Sequence, residues 1–180
     1  MNLVVVRHGE TDFNKSGKLQ GRREDLSLNT EGKTQANDLA DMLAQEKVDA
    51  IFSSPLKRAR KTADVIAKKV GMKITEKEEL SECDFGSLSG KTWKEVAKIA
   101  GKDMEYIDKT LLKYDYRPYG GESATEVKSR LTSFLRELKK TRHRNVILVT
   151  HGGIIRLLHK MLGEDIELNL KSASIHEFVL

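Results

Sequence analysis

Two short runs of apolar residues, one near each end of the chain, both stop at a histidine followed by a glycine. Residues 3–6 lead into Arg7 and His8, and residues 146–149 lead through a threonine into His151. Apolar runs of this length, rich in β-branched residues, are typical of strands buried on both faces. Because open α/β sheets form ligand sites at the carboxyl ends of their strands, we expect His8 and His151 to meet over one pocket.

The pattern between these runs alternates between helix and strand. It predicts a loop over 12–29, a helix from Asn29 or Thr30, a strand over 48–52 and a helix that starts at the turn Ser53-Ser54-Pro55 and ends at Gly71. Ser54 is expected to be the N-cap of that helix, with Pro55 at its first position. Residues 73–90 are expected to be irregular, with one short strand.

The second half of the chain has clear signals for where helices start. A helix is predicted over 91–100, and Ser123 and Glu126 form a capping box before a helix with apolar residues up to Leu138. A helix over 154–162 and an edge strand over 174–180 complete the chain. This order of elements predicts an α/β fold, a three-layer α/β/α sandwich with a mostly parallel sheet, in one domain over 1–180.

Composition and charge narrow the classes of function. The 180 residues are 38% hydrophobic and 33% charged, which is ordinary for a water-soluble globular domain. The net charge of +5 suits an anionic small substrate, and no basic run with interleaved aromatics indicates a nucleic-acid partner. The single cysteine, Cys83, excludes an internal disulfide and favours a reducing cytoplasm. The run at residues 3–6 is too short for a signal peptide or a membrane span.

The cations near the two histidines indicate phosphoryl transfer. Arg58 lies close to a predicted helix N-terminus, where backbone N–H groups favour anions, and the guanidinium groups of Arg7 and Arg58 suit phosphate oxygens. A neutral imidazole beside them can attack phosphorus and form a phosphohistidine. The second imidazole, if protonated, would stabilise charge on the equatorial oxygens. Such a site requires no metal ion, and no cofactor is expected.

The leaving alkoxide requires a proton donor. Glu82 is the candidate general acid, since a carboxyl in a buried site can donate a proton and then activate water in a second step. Asp84 is a nearby alternative.

Several segments together resemble one known family. Arg7-His8-Gly9-Glu10-Thr11, with Asn14, resembles the RHG signature of the histidine phosphatase superfamily, which is also called phosphoglycerate mutase-like. Further segments follow in the family's order over nearly the whole chain: Gln20-Gly21, residues 28–32, residues 53–62, residues 82–90, residues 121–123 and residues 150–153.

The resemblance implies a phosphoglycerate mutase-like fold and assigns roles to particular residues. By it, His8 is phosphorylated, Arg7, Arg58 and His151 line the phosphate pocket, and Glu82 donates the proton. It also implies that four positions contact phosphate or substrate: Asn14, Gln20, Gly21 and the backbone around Gly152. The preferred interpretation is a metal-independent phosphomonoesterase that hydrolyses a small phosphorylated metabolite.

The region 83–121 is expected to be a variable insertion that covers the substrate. Trp93 and all four tyrosines fall between residues 93 and 119, so they are expected either to lie over the site or to fill a subsidiary core. Cys83 is interpreted as a small buried residue rather than a redox switch.

Other functions are disfavoured but stay open. A phosphoglycerate mutase dependent on a bisphosphorylated primer is the first alternative, although those relatives are longer and carry an insertion whose pattern is missing after Glu82. Within phosphatases, α-ribazole phosphatase and phosphoserine phosphatase are alternatives. The intact set of histidines and arginines argues against a non-catalytic binder. A metal site of His8, Glu10, Asp12 and His151 is disfavoured because Arg7 would repel a cation.

Overall fold

The centre of the fold is a sheet of five strands, seen in a computed structural model that describes residues 1–101, 114–163 and 170–180. The strands are β1 (Asn2–Arg7), β2 (Ala50–Ser53), β3 (Ile74–Glu76), β4 (Asn145–Thr150) and β5 (Ile175–Val179). Their order is β3-β2-β4-β1-β5. All neighbouring pairs are parallel except β1 and β5. The predicted mostly parallel sheet and the predicted C-terminal edge strand are therefore confirmed.

Six helices are described around this sheet. They are α1 (Asp12–Lys15), α2 (Thr30–Leu43), α3 (Lys57–Val70), α4 (Trp93–Ala100), α5 (Ala124–Lys139) and α6 (Gly152–Leu162). Short 3-10 turns occupy Glu78–Leu80, Gly86–Leu88 and Arg117–Tyr119. In the part of the chain that the structure describes, no helix is both long and apolar enough to cross a bilayer.

The apolar side chains of the sheet divide between its two faces. On β1, Leu3 and Val5 pack in the cluster that includes α5 and α6. Val4 and Val6, between them in sequence, pack in the cluster that includes α2 and α3. The strand is thus covered by helices on both sides, which explains its unbroken apolar run. The predicted three-layer α/β/α arrangement is confirmed.

Three details differ from the sequence prediction. The segment 12–29 is not all loop, because Thr11 caps the short helix α1 through its hydroxyl. Helix α3 begins at Lys57 with Leu56 as its N-cap, so the prediction that Ser54 caps it was wrong. The hydroxyl of Ser54 accepts the N–H of Leu56, ahead of the helix, and also contacts Nε2 of His151. Helix α4 begins at Trp93, after a capping box of Thr92 and Glu95 that the hydrophobic pattern did not indicate.

Candidate active site

Three adjacent strand ends position the centre of the site. Strands β2, β4 and β1 are neighbours in the sheet, and each is followed by a polar residue: Ser54, His151 and His8 respectively. The His8 N–H donates to the Thr150 carbonyl at 3.0 Å. The imidazole centroids of His8 and His151 lie 5.1 Å apart, tilted by 56°. The parallel register therefore brings together two histidines that are far apart in sequence.

The hydrogen bond of His8 fixes which ring nitrogen is reactive. Its Nδ1 lies 2.7 Å from the Gly9 carbonyl oxygen, which can only accept, so Nδ1 carries the proton. Nε2 then keeps its lone pair, and His8 lines a cleft together with Arg7, Glu82 and Gly152. Burial, with the charges of Arg58 and Arg7, holds the pKa of His8 well below its ordinary value. His8 is therefore a neutral imidazole with an unprotonated Nε2.

His151 is oriented by the serine at the neighbouring strand end. Its Nε2 lies 2.8 Å from the Ser54 hydroxyl, which already accepts the Leu56 N–H at 3.3 Å. When the Ser54 hydroxyl donates its proton to Nε2, the proton of the neutral ring lies on Nδ1. Burial first, then the charge of Arg58, holds the pKa of His151 well below its ordinary value. In the free site His151 is a neutral N–H donor, not the cation considered from the sequence.

Arg58 is the largest fully buried polar side chain near the histidines. It is the second residue of α3 and 0% exposed. Its Nη1 donates to the Glu24 carbonyl at 3.1 Å, and its Nη2 to the carbonyls of Gln20 and Gly21 at 3.2 and 3.1 Å. Burial lowers the pKa of Arg58 to about 10, which leaves it charged at neutral pH. Arg58 therefore places positive charge beside His8 while it ties down the loop at residues 20–24.

Arg7 and Arg156 both approach the N-terminus of α6, where a Cβ on Gly152 would lie 3.5 Å from Arg7 Nε and 3.4 Å from Arg156 Nη1. Arg7 Nη1 donates to the Leu170 carbonyl. Burial lowers the pKa of Arg7, Glu82 raises it and the charge of Arg156 lowers it further. Arg156 also lines the cleft, and sequence reasoning missed it. Its position four residues after Gly152 is the signal that could have found it, because residues four apart share one face of a helix.

Three side-chain nitrogens of residues close to His8 are buried and have no hydrogen-bond partner among the described residues: Arg7 Nε, Arg58 Nε and His151 Nδ1. An unpaired buried donor costs roughly 1–3 kcal/mol, so three in one place indicate a site that an external acceptor fills. Each of these groups can donate to an oxyanion. A phosphate group has the charge and the oxygens to accept from all three.

Glu82 lines the cleft, and two backbone N–H groups hold its carboxyl. Its Oε1 accepts the Cys83 N–H at 2.9 Å, and its Oε2 accepts the Gly153 N–H at 3.0 Å. The side chain is 7% exposed and lines the cleft. A Cβ on Gly153 would come within 2.3 Å of Oε1. Gly153 thus allows the carboxyl to reach the N-terminus of α6.

Asp84, the alternative acid, is used elsewhere. Its carboxylate pairs with Arg23 at 2.8 Å and accepts the Gly86 N–H at 2.8 Å. It does not line the cleft. Cys83 is buried, as expected from the sequence, and burial raises the pKa of its thiol.

The cleft has a volume of about 480 Å³ and carries most of the predicted binding residues. Asn14, Gln20 and Gly152 line it, whereas Arg58, His151 and Gly21 do not. Gly21 instead packs against the Cys83 carbonyl, where a Cβ would lie at 2.6 Å. Gln20 is oriented by the Thr11 hydroxyl, which donates to its side-chain oxygen at 2.6 Å.

Aromatic side chains form one wall of the cleft. Phe85, Trp93, Tyr114 and Tyr116 line it. Tyr116 is also a core residue, only 3% exposed, with its ring 5.0 Å from that of Phe85. Trp93 and the tyrosines were expected either to lie over the site or to fill a subsidiary core. Trp93, Tyr114 and Tyr116 line the cleft, and Tyr116 is in the core as well. Tyr106 and the rest of 102–113 lie outside the described residues.

No group of three or more His, Cys, Asp and Glu side chains within residues 1–101, 114–163 and 170–180 is arranged to hold a metal ion. The cluster of His8, Glu10, Asp12 and His151 considered from the sequence is not such a group. Glu10 instead accepts from the Asn29 side chain at 2.8 Å and so anchors the start of α2.

Fold and site together define an α/β protein with a cationic, histidine-containing cleft at the carboxyl edge of a parallel sheet. A family model described as the histidine phosphatase superfamily (branch 1) matches residues 3–177, and the chain belongs to that family. The resemblance noted in the sequence is thereby confirmed.

Relatives within this family carry phosphatase and mutase-like names. Phosphoglycerate mutase-like protein 4 of Arabidopsis thaliana is 37% identical over 161 residues, 88% of this chain and 69% of that protein. Phosphoserine phosphatase 1 of Hydrogenobacter thermophilus is 36% identical over 169 residues, 92% of this chain and 78% of that protein. A solved mycobacterial glucosyl-3-phosphoglycerate phosphatase complexed with VO3 has a TM-score of 0.85 at 30% identity, covering 98% of this chain and 91% of that one. The chain is a phosphoric monoester hydrolase of this superfamily.

Proposed function

We propose that the chain hydrolyses small phosphate monoesters in two steps, with His8 as the nucleophile. The observation that carries the proposal is the Nδ1–H bond of His8 to the Gly9 carbonyl, at 2.7 Å, which leaves Nε2 unprotonated in the cleft. In the first step Nε2 attacks phosphorus, the P–O bond to the leaving group breaks, and a phosphohistidine forms. In the second step water attacks phosphorus, the P–N bond breaks and phosphate is released.

Arg7, Arg58 and His151 hold the phosphoryl group in this proposal. Their unpaired N–H groups donate to its non-bridging oxygens, and the two guanidinium charges offset the charge of the transition state. Asn14, Gln20 and the backbone at Gly152 extend the binding site, since all three line the cleft. Gly21 contributes through its carbonyl, which orients Arg58.

Glu82 supplies the proton for the leaving oxygen. Each of its carboxyl oxygens accepts one backbone N–H and keeps a second lone-pair position, so one of them can carry the proton. After the first step the carboxylate takes a proton from the attacking water, which restores the acid.

The substrate is proposed to be a small phosphorylated metabolite. A cleft of about 480 Å³ exceeds a phosphate group and suits a small organic leaving group. The relatives named for phosphoserine and glucosyl-3-phosphoglycerate support this class. We further propose that the chain acts as a single domain over 1–180, in which the region 83–121 covers the substrate through Phe85, Trp93 and Tyr114. A cytoplasmic location stays a prediction from the sequence.

Two variants test the roles of His8 and Glu82. His8→Ala is expected to abolish turnover of p-nitrophenyl phosphate in EDTA, where the parent retains it. Glu82→Gln is expected to lower kcat/KM, which reports formation of the phosphohistidine, far more for phenyl phosphate, whose leaving group requires a proton, than for p-nitrophenyl phosphate, whose leaving group does not. Loss of the parent's activity in EDTA would contradict the metal-independent mechanism, and equal slowing of both esters would remove Glu82 from the acid role.

A panel of phosphate esters tests the substrate class and the mutase alternative. It includes phosphoserine and 3-phosphoglycerate, the latter with and without its bisphosphate. Release of inorganic phosphate is expected throughout. Isomerisation of 3-phosphoglycerate faster than phosphate release would instead identify a mutase.

A further inference from the structure

The segment that carries Glu82 is held from outside the cleft by one arginine. Arg130, on α5, donates from Nη1 to the Glu79 carbonyl at 2.6 Å and from Nη2 to the Glu82 carbonyl at 3.3 Å. Arg130 does not line the cleft. Its guanidinium therefore contacts the backbone on both sides of the turn that leads to the acid, without reaching the substrate.

Glu122 completes this contact. Its carboxylate accepts from Arg130 Nε at 3.2 Å and from the Asp84 N–H at 2.9 Å. The side chains of Arg130 and Glu122 are only 15% and 18% exposed, so their geometry is restricted by packing. Together they fix the backbone at three points, which are the carbonyls of residues 79 and 82 and the N–H of residue 84.

Two glycines also pack closely against this segment. A Cβ on Gly121 would lie 2.2 Å from the Asp84 carbonyl, and a Cβ on Gly21 would lie 2.6 Å from the Cys83 carbonyl. The backbone of residues 82–84 is thus enclosed by two close approaches and by the Arg130–Glu122 pair. The glycine contacts determine only how closely this backbone approaches Gly21 and Gly121. The guanidinium of Arg130 also determines the direction of the Glu82 carbonyl.

We propose that Arg130, with Glu122, is a positioning residue for the general acid: it orients the backbone of Glu82 so that the carboxyl reaches the leaving oxygen. This inference rests on the proposed role of Glu82. The positioning hydrogen bonds, rather than the charge of Arg130, produce the effect. Lysine has one ammonium group in place of the planar fork and cannot hold both carbonyls together with Glu122.

The experiment compares two esters in the full-length protein. Arg130→Gln is expected to lower kcat/KM, which reports formation of the phosphohistidine, on the order of tenfold for phenyl phosphate and by less than about twofold for p-nitrophenyl phosphate. Arg130→Lys is expected to give the same selective loss. Arg136→Gln, an exposed arginine on the same helix, is the control and is expected to leave both rates unchanged. If Arg130→Gln fails to fold, Arg130→Lys and Glu122→Gln are measured in its place.

A double-variant cycle separates positioning from general damage. Added to Glu82→Gln, Arg130→Gln is expected to slow phenyl phosphate by less than about twofold further, because the group it positions no longer donates. Equal slowing of both esters by Arg130→Gln, full additivity with Glu82→Gln, or parent-like rates in Arg130→Lys would each overturn the proposal. If Glu82→Gln slows the two esters equally, the acid role fails and the positioning role with it. If Glu82→Gln is selective and Arg130→Gln is not, only the positioning role fails.

Discussion

A methyl group on Gly153 is expected to damage proton transfer without affecting the nucleophile. Gly153 is the second residue of α6 and does not have a positive φ, so alanine fits the backbone there. The added Cβ would lie 2.3 Å from Glu82 Oε1, whereas an ordinary contact begins at 3.4 Å. The carboxyl must therefore move by about 1 Å, and a displacement of that size costs on the order of 100-fold in rate.

The assay uses the same two esters. In Gly153→Ala, kcat/KM is expected to fall about 100-fold for phenyl phosphate and by less than about tenfold for p-nitrophenyl phosphate, since the latter's leaving group departs without a proton. Thermal unfolding is the check on folding, because alanine is a better helix former than glycine by about 1 kcal/mol.

The Glu82→Ala background provides the decisive control. With the carboxyl removed there is nothing for the new Cβ to displace, so Gly153→Ala is expected to have little further effect on phenyl phosphate. Unchanged rates in the single variant, or an undiminished effect in the Glu82→Ala background, would refute the reasoning. The second result would mean that the methyl group obstructs the substrate directly.

Two further predictions concern stability. The pKa values of His8 and His151 in the folded chain lie below the ordinary 6.5. Below pH 6.5 the unfolded chain therefore binds more protons than the folded chain does. The free energy of unfolding, measured in urea, should therefore be fully retained above pH 6.5 and be lower by up to about 3 kcal/mol at pH 5.5; equal values at pH 7.5 and 5.5 would contradict this. Gly86→Ala should destabilise the fold by more than about 3 kcal/mol, because its φ is +57° and its Cβ would lie 1.9 Å from the Tyr119 carbonyl. Gly17→Ala, at φ +65° with open space around it, isolates the backbone cost of about 1–2 kcal/mol; similar losses in the two variants would show that the close approach is unimportant.

The parts of the fold that could be predicted from the sequence are those in which local pattern and tertiary packing agree. The apolar runs of β1 and β4 are buried on both faces, and their parallel pairing brings His8 and His151 together at one edge. The start of α3 could not be predicted in this way. The turn before it has the residues of an N-cap, but the hydroxyl of Ser54 accepts the N–H of Leu56, ahead of the first helical residue, and also contacts His151, and the helix begins only at Lys57.

The positions of other site residues could not be predicted from the sequence, because they depend on contacts with residues that are far away along the chain. Glu82 is one of several carboxylates in its region, and its position in the cleft depends on the N–H of Gly153, which is 71 residues away. The guanidinium of Arg58 binds carbonyls of a loop that precedes it by more than thirty residues, so it lies buried beside His8 instead of lining the cleft. Periodicity and helix-start signals report neighbours along the chain and contain no information on such pairs.

Trapping of the covalent intermediate tests the central claim most directly. The parent and Glu82→Gln are mixed with radiolabelled p-nitrophenyl phosphate, quenched in alkali within one turnover, and digested for peptide mapping and phosphorus NMR. The label is expected on Nε2 of His8, and to accumulate more in Glu82→Gln because water is no longer activated in the second step. Label on another side chain, or release of phosphate with no labelled protein in either form, would contradict nucleophilic catalysis by His8.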